Sequence, residues 1–112
     1  DLTVPNTEKV RDFYAAVASW TPEEFVMPDR TDYNMKAPNG EIVAGICHPS
    51  GENTDLPTQW LLYITVADLR KSLKLCVENG GEILKKPINA GQEGSYAVVK
   101  DPAGAVCALF QT

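Results

Sequence analysis

Two stretches of this chain repeat one order of polar and apolar residues, and such a duplication restricts the fold to one built from two similar halves. The first stretch opens on Asp1-Leu2-Thr3-Val4, passes through a polar break into a helical segment, and closes on Pro38-Asn39-Gly40 followed by Glu41-Ile42-Val43-Ala44-Gly45-Ile46. The second opens on Leu62-Tyr63-Ile64-Thr65-Val66, breaks at Ala67-Asp68 into a helix, and closes on Asp101-Pro102-Ala103-Gly104 followed by Ala105-Val106-Cys107-Ala108-Leu109-Phe110. Matching landmarks recur roughly sixty residues apart and only twice, a longer period than solenoid repeats use. One pseudo-symmetric domain over residues 1–112 is therefore expected, not an open array.

In the first half, residues 1–48, Asp1 to Val4 alternates as a half-buried strand does. Pro5 and Asn6 end it. Asn6 is an N-cap candidate, and Val10, Phe13, Tyr14 and Val17 make one stripe of an amphipathic helix ending near Ser19. Glu23 to Met27 and Asp32 to Lys36 are short strand candidates around the turn formers Pro28-Asp29-Arg30-Thr31, and Glu41 to Cys47 is a β-branched strand. Residues 49–58 are dense in turn formers and read as a linker. In the second half, residues 59–112, Trp60 to Val66 is a strand and Asp68 an N-cap. Leu69, Leu73, Cys76 and Val77 then form a helical stripe that Gly80-Gly81 stops. Glu82 to Lys86, Ser95 to Lys100 and Ala105 to Gln111 are the remaining strands, with a flexible turn from Gly91 to Gly94.

Each half is thus β-α-β-β-β, an α+β architecture. A four-stranded sheet with one helix buries a single face, so the two βαβββ modules are expected to form a curved mixed sheet around a cavity, with the helices outside. Trp20 and Trp60 read as caps of the core, and Phe13 and Tyr14 as core by periodicity.

A hydrophobic content of 44% over 112 residues supports a core without disulfides or a structural metal. Cys47, Cys76 and Cys107 are odd in number, far apart and set in apolar patterns, so they read as reduced core residues, which favours the cytoplasm. The net charge of −5 is spread along the chain and speaks against nucleic acid or an anionic membrane as partner. No apolar run reaches the length of a membrane span. The chain begins without methionine and inside a strand pattern, so a few preceding residues are expected; a removed leader stays open.

Leu2-Thr3-Val4-Pro5-Asn6 ahead of a helix containing Arg11-Asp12-Phe13-Tyr14, with Asp101-Pro102-Ala103-Gly104 before the last strand and Gln111 just after Phe110, resembles the vicinal oxygen chelate superfamily. That group includes glyoxalase I, bleomycin resistance proteins and extradiol dioxygenases. The resemblance covers nearly the whole chain and implies paired modules and a homodimer. In the family's metalloenzymes it implies a divalent ion held by a residue early in a module's first strand and a Glu in the middle of its last. Those positions here carry Ala44 in the first module and Leu61 and Ala108 in the second; the remaining one lies ahead of Asp1. Aliphatic side chains have no lone pair for a metal, and the neighbours Val43, Gly45, Trp60, Leu62, Cys107 and Leu109 offer at most one thiol. The family metal therefore reads as lost, with no cofactor and no catalytic residue assigned.

His48 is the single histidine, and it reads either as a base or ligand at the mouth of the cavity or, the simpler reading, as a solvated strand-end residue before Pro49. Glu23-Glu24 and Asp29 to Asp32 read as solvated charges. No nucleophile elbow, phosphate loop or CxxC pair is present.

Strand parity, anchored on the metal positions, assigns Asp1, Thr3, Ile42, Ala44, Ile46, His48, Leu61, Tyr63, Thr65, Val106, Ala108 and Phe110 to the concave side. It assigns Leu2, Val4, Val43, Leu62, Ile64, Val66, Cys107 and Leu109 to the side under the helices. The concave wall is then mostly apolar, with Tyr63, Thr65, Thr3, Asp1, Asn34 and Tyr96 as polar handles and the small Ala44 and Ala108 at its centre, as a small-molecule pocket requires. Two functions follow. One is a metal-free binder of a small, partly apolar molecule, resembling the bleomycin resistance branch. The other is a metal-dependent glyoxalase, lyase or dioxygenase-like enzyme with ligands outside those positions.

Overall fold

Each apolar helix stripe covers one face of a four-stranded sheet. The computed structural model describes residues 1–112, the side chain of Glu52 aside, and the chain divides into two units, Asp1–Trp60 and Leu61–Thr112. The first contains β1 (Leu2–Thr3), α1 (Thr7–Val17), β2 (Thr21–Val26), β3 (Thr31–Lys36) and β4 (Ile42–Cys47). Its sheet runs β1-β4-β3-β2, with β1 parallel to β4 and the other pairs antiparallel. The second contains β5 (Tyr63–Val66), α2 (Leu69–Glu78), β6 (Glu82–Lys85), β7 (Tyr96–Lys100) and β8 (Val106–Gln111). Its sheet runs β5-β8-β7-β6 with the same parallel first-to-last pairing. The fold is α+β, with two mixed four-stranded sheets and two α-helices.

In the first unit Leu2, Val4, Tyr33, Met35 and Ile46 form the buried cluster, and Val10, Tyr14, Trp20 and Ala44 pack against it. The α1 stripe is narrower than its periodicity suggests. Val10 and Tyr14 face the sheet, whereas Phe13 and Val17 are 56% and 62% exposed. The entry to the helix explains this rotation. Asn6 makes no side-chain capping bond; the buried Thr7 hydroxyl instead donates to the Val4 carbonyl at 2.7 Å and turns that edge of α1 toward β1. Trp60, expected inside a strand, forms an isolated antiparallel bridge with Leu2, and its indole N–H donates to the Tyr14 hydroxyl at 3.0 Å. Tyr14, Trp20 and Trp60 thereby make a ring cluster with centroids 5.2 to 6.1 Å apart.

In the second unit Leu69, Leu73, Ala97 and Val99 are buried together, with Val66, Cys76, Ile83, Cys107 and Leu109 against them. Val77 is left outside, 57% exposed. The start of α2 is capped twice: Asp68 accepts from the Lys71 amide at 3.1 Å, and the buried Gln111 side chain accepts from the Leu69 amide at 2.8 Å. At its end the chain turns through Gly80 at φ +89°. The next residue, Gly81, sits where a Cβ would lie 2.6 Å from the Cys76 sulfur.

The two caps differ in burial, and their removal should separate accordingly. Gln111→Ala strands the buried Leu69 N–H and should cost about 1–3 kcal/mol, while Asp68→Ala, at an exposed cap, should cost about 1 kcal/mol. Urea unfolding of the two variants checks the order, and an equal or smaller loss for Gln111→Ala would contradict it.

Candidate functional site

Residues that are direct cross-strand partners project to the same face of a sheet. Leu2 is opposite Ile46, Tyr33 is opposite Ile46, and Met35 is opposite Ala44. Ala44 and Ile46 therefore lie under α1 with Leu2, not on the helix-free face where sequence parity put them. The parallel register of β1 on β4 decides this, because it ties the two strands to one phase. Ile42 escapes the same fate through a bulge. Ile42 is opposite Lys36 while Ala44 is opposite Met35, which leaves Val43 as the extra residue and turns Ile42 to the helix-free face.

That face of the first sheet is mixed, not mostly apolar, with Ile42 and Phe25 among polar residues. Thr3 pairs with Cys47, Asn34 pairs with Gly45 and with Glu23, and Lys36 forms an ion pair with Glu23. Of the expected binding residues in this unit, Thr3, Asn34 and Ile42 share it; Thr3 is buried, Asn34 half-buried and Ile42 exposed.

His48 and Asp32 depart from the reading as solvated charges. The imidazole Nε2 lies 2.9 Å from the Glu8 carboxylate on α1, and Nδ1 lies 3.4 Å from Asp32, which also accepts from the His48 amide at 2.9 Å. The other Asp32 oxygen accepts from Arg30 Nε at 2.9 Å, with the two side chains only 8% and 9% exposed. Glu8 also accepts from the Tyr33 hydroxyl at 3.1 Å, and the Arg11 guanidinium sits 4.7 Å from the Tyr33 ring centroid. His48 thus ties the end of β4 to α1 and β3, and both its ring nitrogens face carboxylates. The hydrogen bond from Arg30 to Asp32 raises the pKa of Arg30 against the opposing effect of burial. Burial and the bond to Glu8 raise that of Tyr33. Burial, reinforced by the Asp32 charge, pushes the Cys47 thiol up to about 11.

The second sheet has a helix-free face of another kind. One row across its four strands reads Tyr63, Ala108, Val98, Lys85, and the next reads Thr65, Phe110, Tyr96. The Tyr63 ring lies 6.0 Å from Tyr96 and 6.4 Å from Phe110. Between them the floor residues Ala108 and Val98 are 0% and 1% exposed. Tyr63, Thr65, Tyr96, Val106, Ala108 and Phe110 are thus brought together on one face, while Leu61 is buried just ahead of β5. Sequence reasoning passed over two members. Val98 follows by alternation from Tyr96, but Lys85 reaches this face only because the β6 register shifts between Ile83 and Lys85.

Of the three positions where the resemblance puts metal ligands, Ala44 packs in the first core, Leu61 is buried, and Ala108 is fully buried opposite Val98. Among the described residues no group of three or more His, Cys, Asp or Glu side chains is placed to hold a metal ion.

Residues 1–109 match the Glyoxalase/Bleomycin resistance protein/Dioxygenase superfamily. The chain belongs to that superfamily. A superfamily relative, CFP32 of Mycobacterium bovis, provisionally named a glyoxylase, is 29% identical over 99% of this chain and 43% of its own length. The anthracycline biosynthesis protein DnrV of Streptomyces peucetius is 26% identical over 99% of this chain and 45% of its own. The chain therefore spans less than half the length of these curated relatives. Among solved structures, TnmS3, an antibiotic binding protein from Streptomyces sp. CB03234, is 24% identical with a TM-score of 0.38, covering 97% of this chain and 90% of that one.

Removing Asp32 should leave Arg30 with only the exposed Asp29 as partner, so Asp32→Ala should destabilise the fold by roughly 1.5–3 kcal/mol in urea unfolding; a loss under about 1 kcal/mol would place the pair among weak surface pairs. The Cys47 thiol supplies a second test. Its folded-state pKa of about 11 exceeds the ordinary 9.0, so the folded form keeps a proton that the unfolded chain releases. The associated stability is complete below pH 9 and lost as the pH rises through about 11. The wild type should accordingly lose more stability across that window than Cys47→Ala, and parallel losses would contradict it.

Proposed function

We propose that this chain is a metal-free member of the superfamily that binds a small, partly apolar molecule on the helix-free faces of its sheets and works as a homodimer in the cytoplasm. The observation that carries the reading is the occupation of the metal-ligand positions by Ala44, Leu61 and Ala108. These residues do not fit a divalent ion: none has a lone pair, and two are buried within 5% exposure. His48 gives no substitute ligand set, because both its ring nitrogens already face carboxylates.

Binding without turnover needs shape, apolar surface and a few orienting polar groups. Tyr63, Phe110 and Tyr96 supply rings around the Ala108 floor, with Thr65 beside them, and Thr3 and Asn34 supply polar groups on the first sheet. Dimerisation is supported by the sheet edge at β2, where Phe25 and Val26 are 51% and 74% exposed. The free thiols of Cys47, Cys76 and Cys107 suit a reducing compartment, and among the described residues no helix is long and apolar enough to cross a membrane.

Two measurements test the reading. After incubation with zinc, nickel, manganese and iron and then desalting, mass spectrometry should find only background metal; near-stoichiometric retention of any of them would sink it. The neutral fluorophore N-phenyl-1-naphthylamine should bind the wild type and lose about tenfold in affinity in Tyr63→Ala, in line with the loss of one aromatic wall. Undiminished binding in that variant would move the site elsewhere.

A further inference from the structure

We infer that Asn39 is a site of spontaneous deamidation, and that the turn joining β3 to β4 directs the reaction there by holding a backbone N–H on the oxygen that takes up charge. This modification site stands apart from the proposed ligand reading, and its chemistry needs water as the only co-reactant.

The chain contains two Asn-Gly pairs, Asn39-Gly40 and Asn79-Gly80, and all four residues are exposed. A glycine has no side chain to hinder attack by its own amide nitrogen, so both pairs are chemically competent. At the first pair the Gly40 nitrogen bonds to the Asn39 Cγ, the Cγ–Nδ2 bond breaks, and the amide proton leaves with Nδ2 as ammonia. Water then opens the resulting succinimide at one of its two carbonyls. The product is aspartate or isoaspartate, with an added negative charge in either case and, in isoaspartate, a main chain longer by a methylene.

The two pairs differ in what holds the carboxamide. Asn39 Oδ1 accepts from the Glu41 N–H at 3.0 Å. Negative charge develops on that oxygen as the Gly40 nitrogen attacks, and a donor already aimed at it stabilises the tetrahedral intermediate. Asn79 is held by its other atom. It closes α2, and its Nδ2 donates to the Leu75 carbonyl at 2.8 Å, while among the described residues no donor reaches its side-chain oxygen.

Both attacking amides are engaged, Gly40 N–H with the Ala37 carbonyl at 2.8 Å and Gly80 N–H with that of Val77 at 3.2 Å. The donor to the oxygen, not the nucleophile, therefore sets the preference. Space favours the same pair. Nothing lies within 4 Å of where a Cβ on Gly40 would stand, whereas the Pro102 ring is 3.7 Å from the equivalent point at Gly80. The Asn39 turn also closes a hairpin, with the Ala37 N–H donating to the Glu41 carbonyl at 2.8 Å, so a lengthened main chain there acts on the register that sets Lys36 opposite Ile42.

The test incubates the folded wild-type chain in mildly alkaline buffer beside a sample in urea. Peptide mass spectrometry follows both pairs, and enzymatic methylation of isoaspartate gives a second readout. In the folded chain Asn39 should deamidate about tenfold faster than Asn79, a modest share of what a donor to an oxyanion contributes in a dry site. In urea, where turn and helix are lost and the shared Asn-Gly pattern remains, the two rates should agree within about twofold. Equal rates in the folded chain, a faster Asn79, or protection of both pairs overturns the inference. A preference for Asn39 that persists unchanged in urea overturns it as well, because the turn is then not its cause.

Discussion

One helix can cover only one face of a four-stranded sheet, and the rest of this structure follows from that limit. In each unit the first strand pairs in parallel with the last, and this pairing presents a continuous apolar face to the helix between the first and second strands. The apolar residues beneath α1 and α2 supply the stabilising burial. The opposite faces are left to be occupied by whatever chemistry the chain places there.

The two units use that freedom differently. The first sheet carries threonine, asparagine, cysteine, isoleucine and an ion pair on its helix-free face, and a chain of charged contacts runs from the buried Arg30 and Asp32 side chains to half-buried His48 and exposed Glu8. Such a network ties the end of β4 to α1 and β3. The second sheet carries three rings around small floor residues, with an ammonium against one ring. A duplicated architecture has thus produced two helix-free faces of different chemistry, the second of them bearing a cluster of rings.

The element order was legible because it depends on local signals: Asp68 as a cap, Gly80 as a stop, and the turn formers at Pro38-Asn39-Gly40 and Asp101-Pro102-Ala103-Gly104. In the second unit Tyr63, Ala108, Phe110 and Tyr96 alternate with Leu109, Ala97 and Val66 as the parity required, but Leu62 and Ile64, expected under the helix, are 76% and 49% exposed at the edge strand β5. In the first unit the facing of strands was not legible. The phase of β4 was set from the presumed metal position at Ala44, whereas the register with Leu2 and Met35 puts that residue under the helix. The burial of Asp32 was equally hidden, because a charge beside turn formers looks solvated until its partners, Arg30 and His48, are brought to it.

The sequence by itself determined the two-fold repetition, the α+β class, the family, and the aliphatic character of the positions where the resemblance puts metal ligands. Those properties follow from residue identity and spacing along the chain. Tertiary structure alone decided which residues share a face. Strand register, two bulges and the rotation of α1 each shift a side chain by half a period, and a shift of that size exchanges core for surface without altering a single residue. Lys85 joined the aromatic face, and Ala44 and Ile46 left the helix-free one, for that reason.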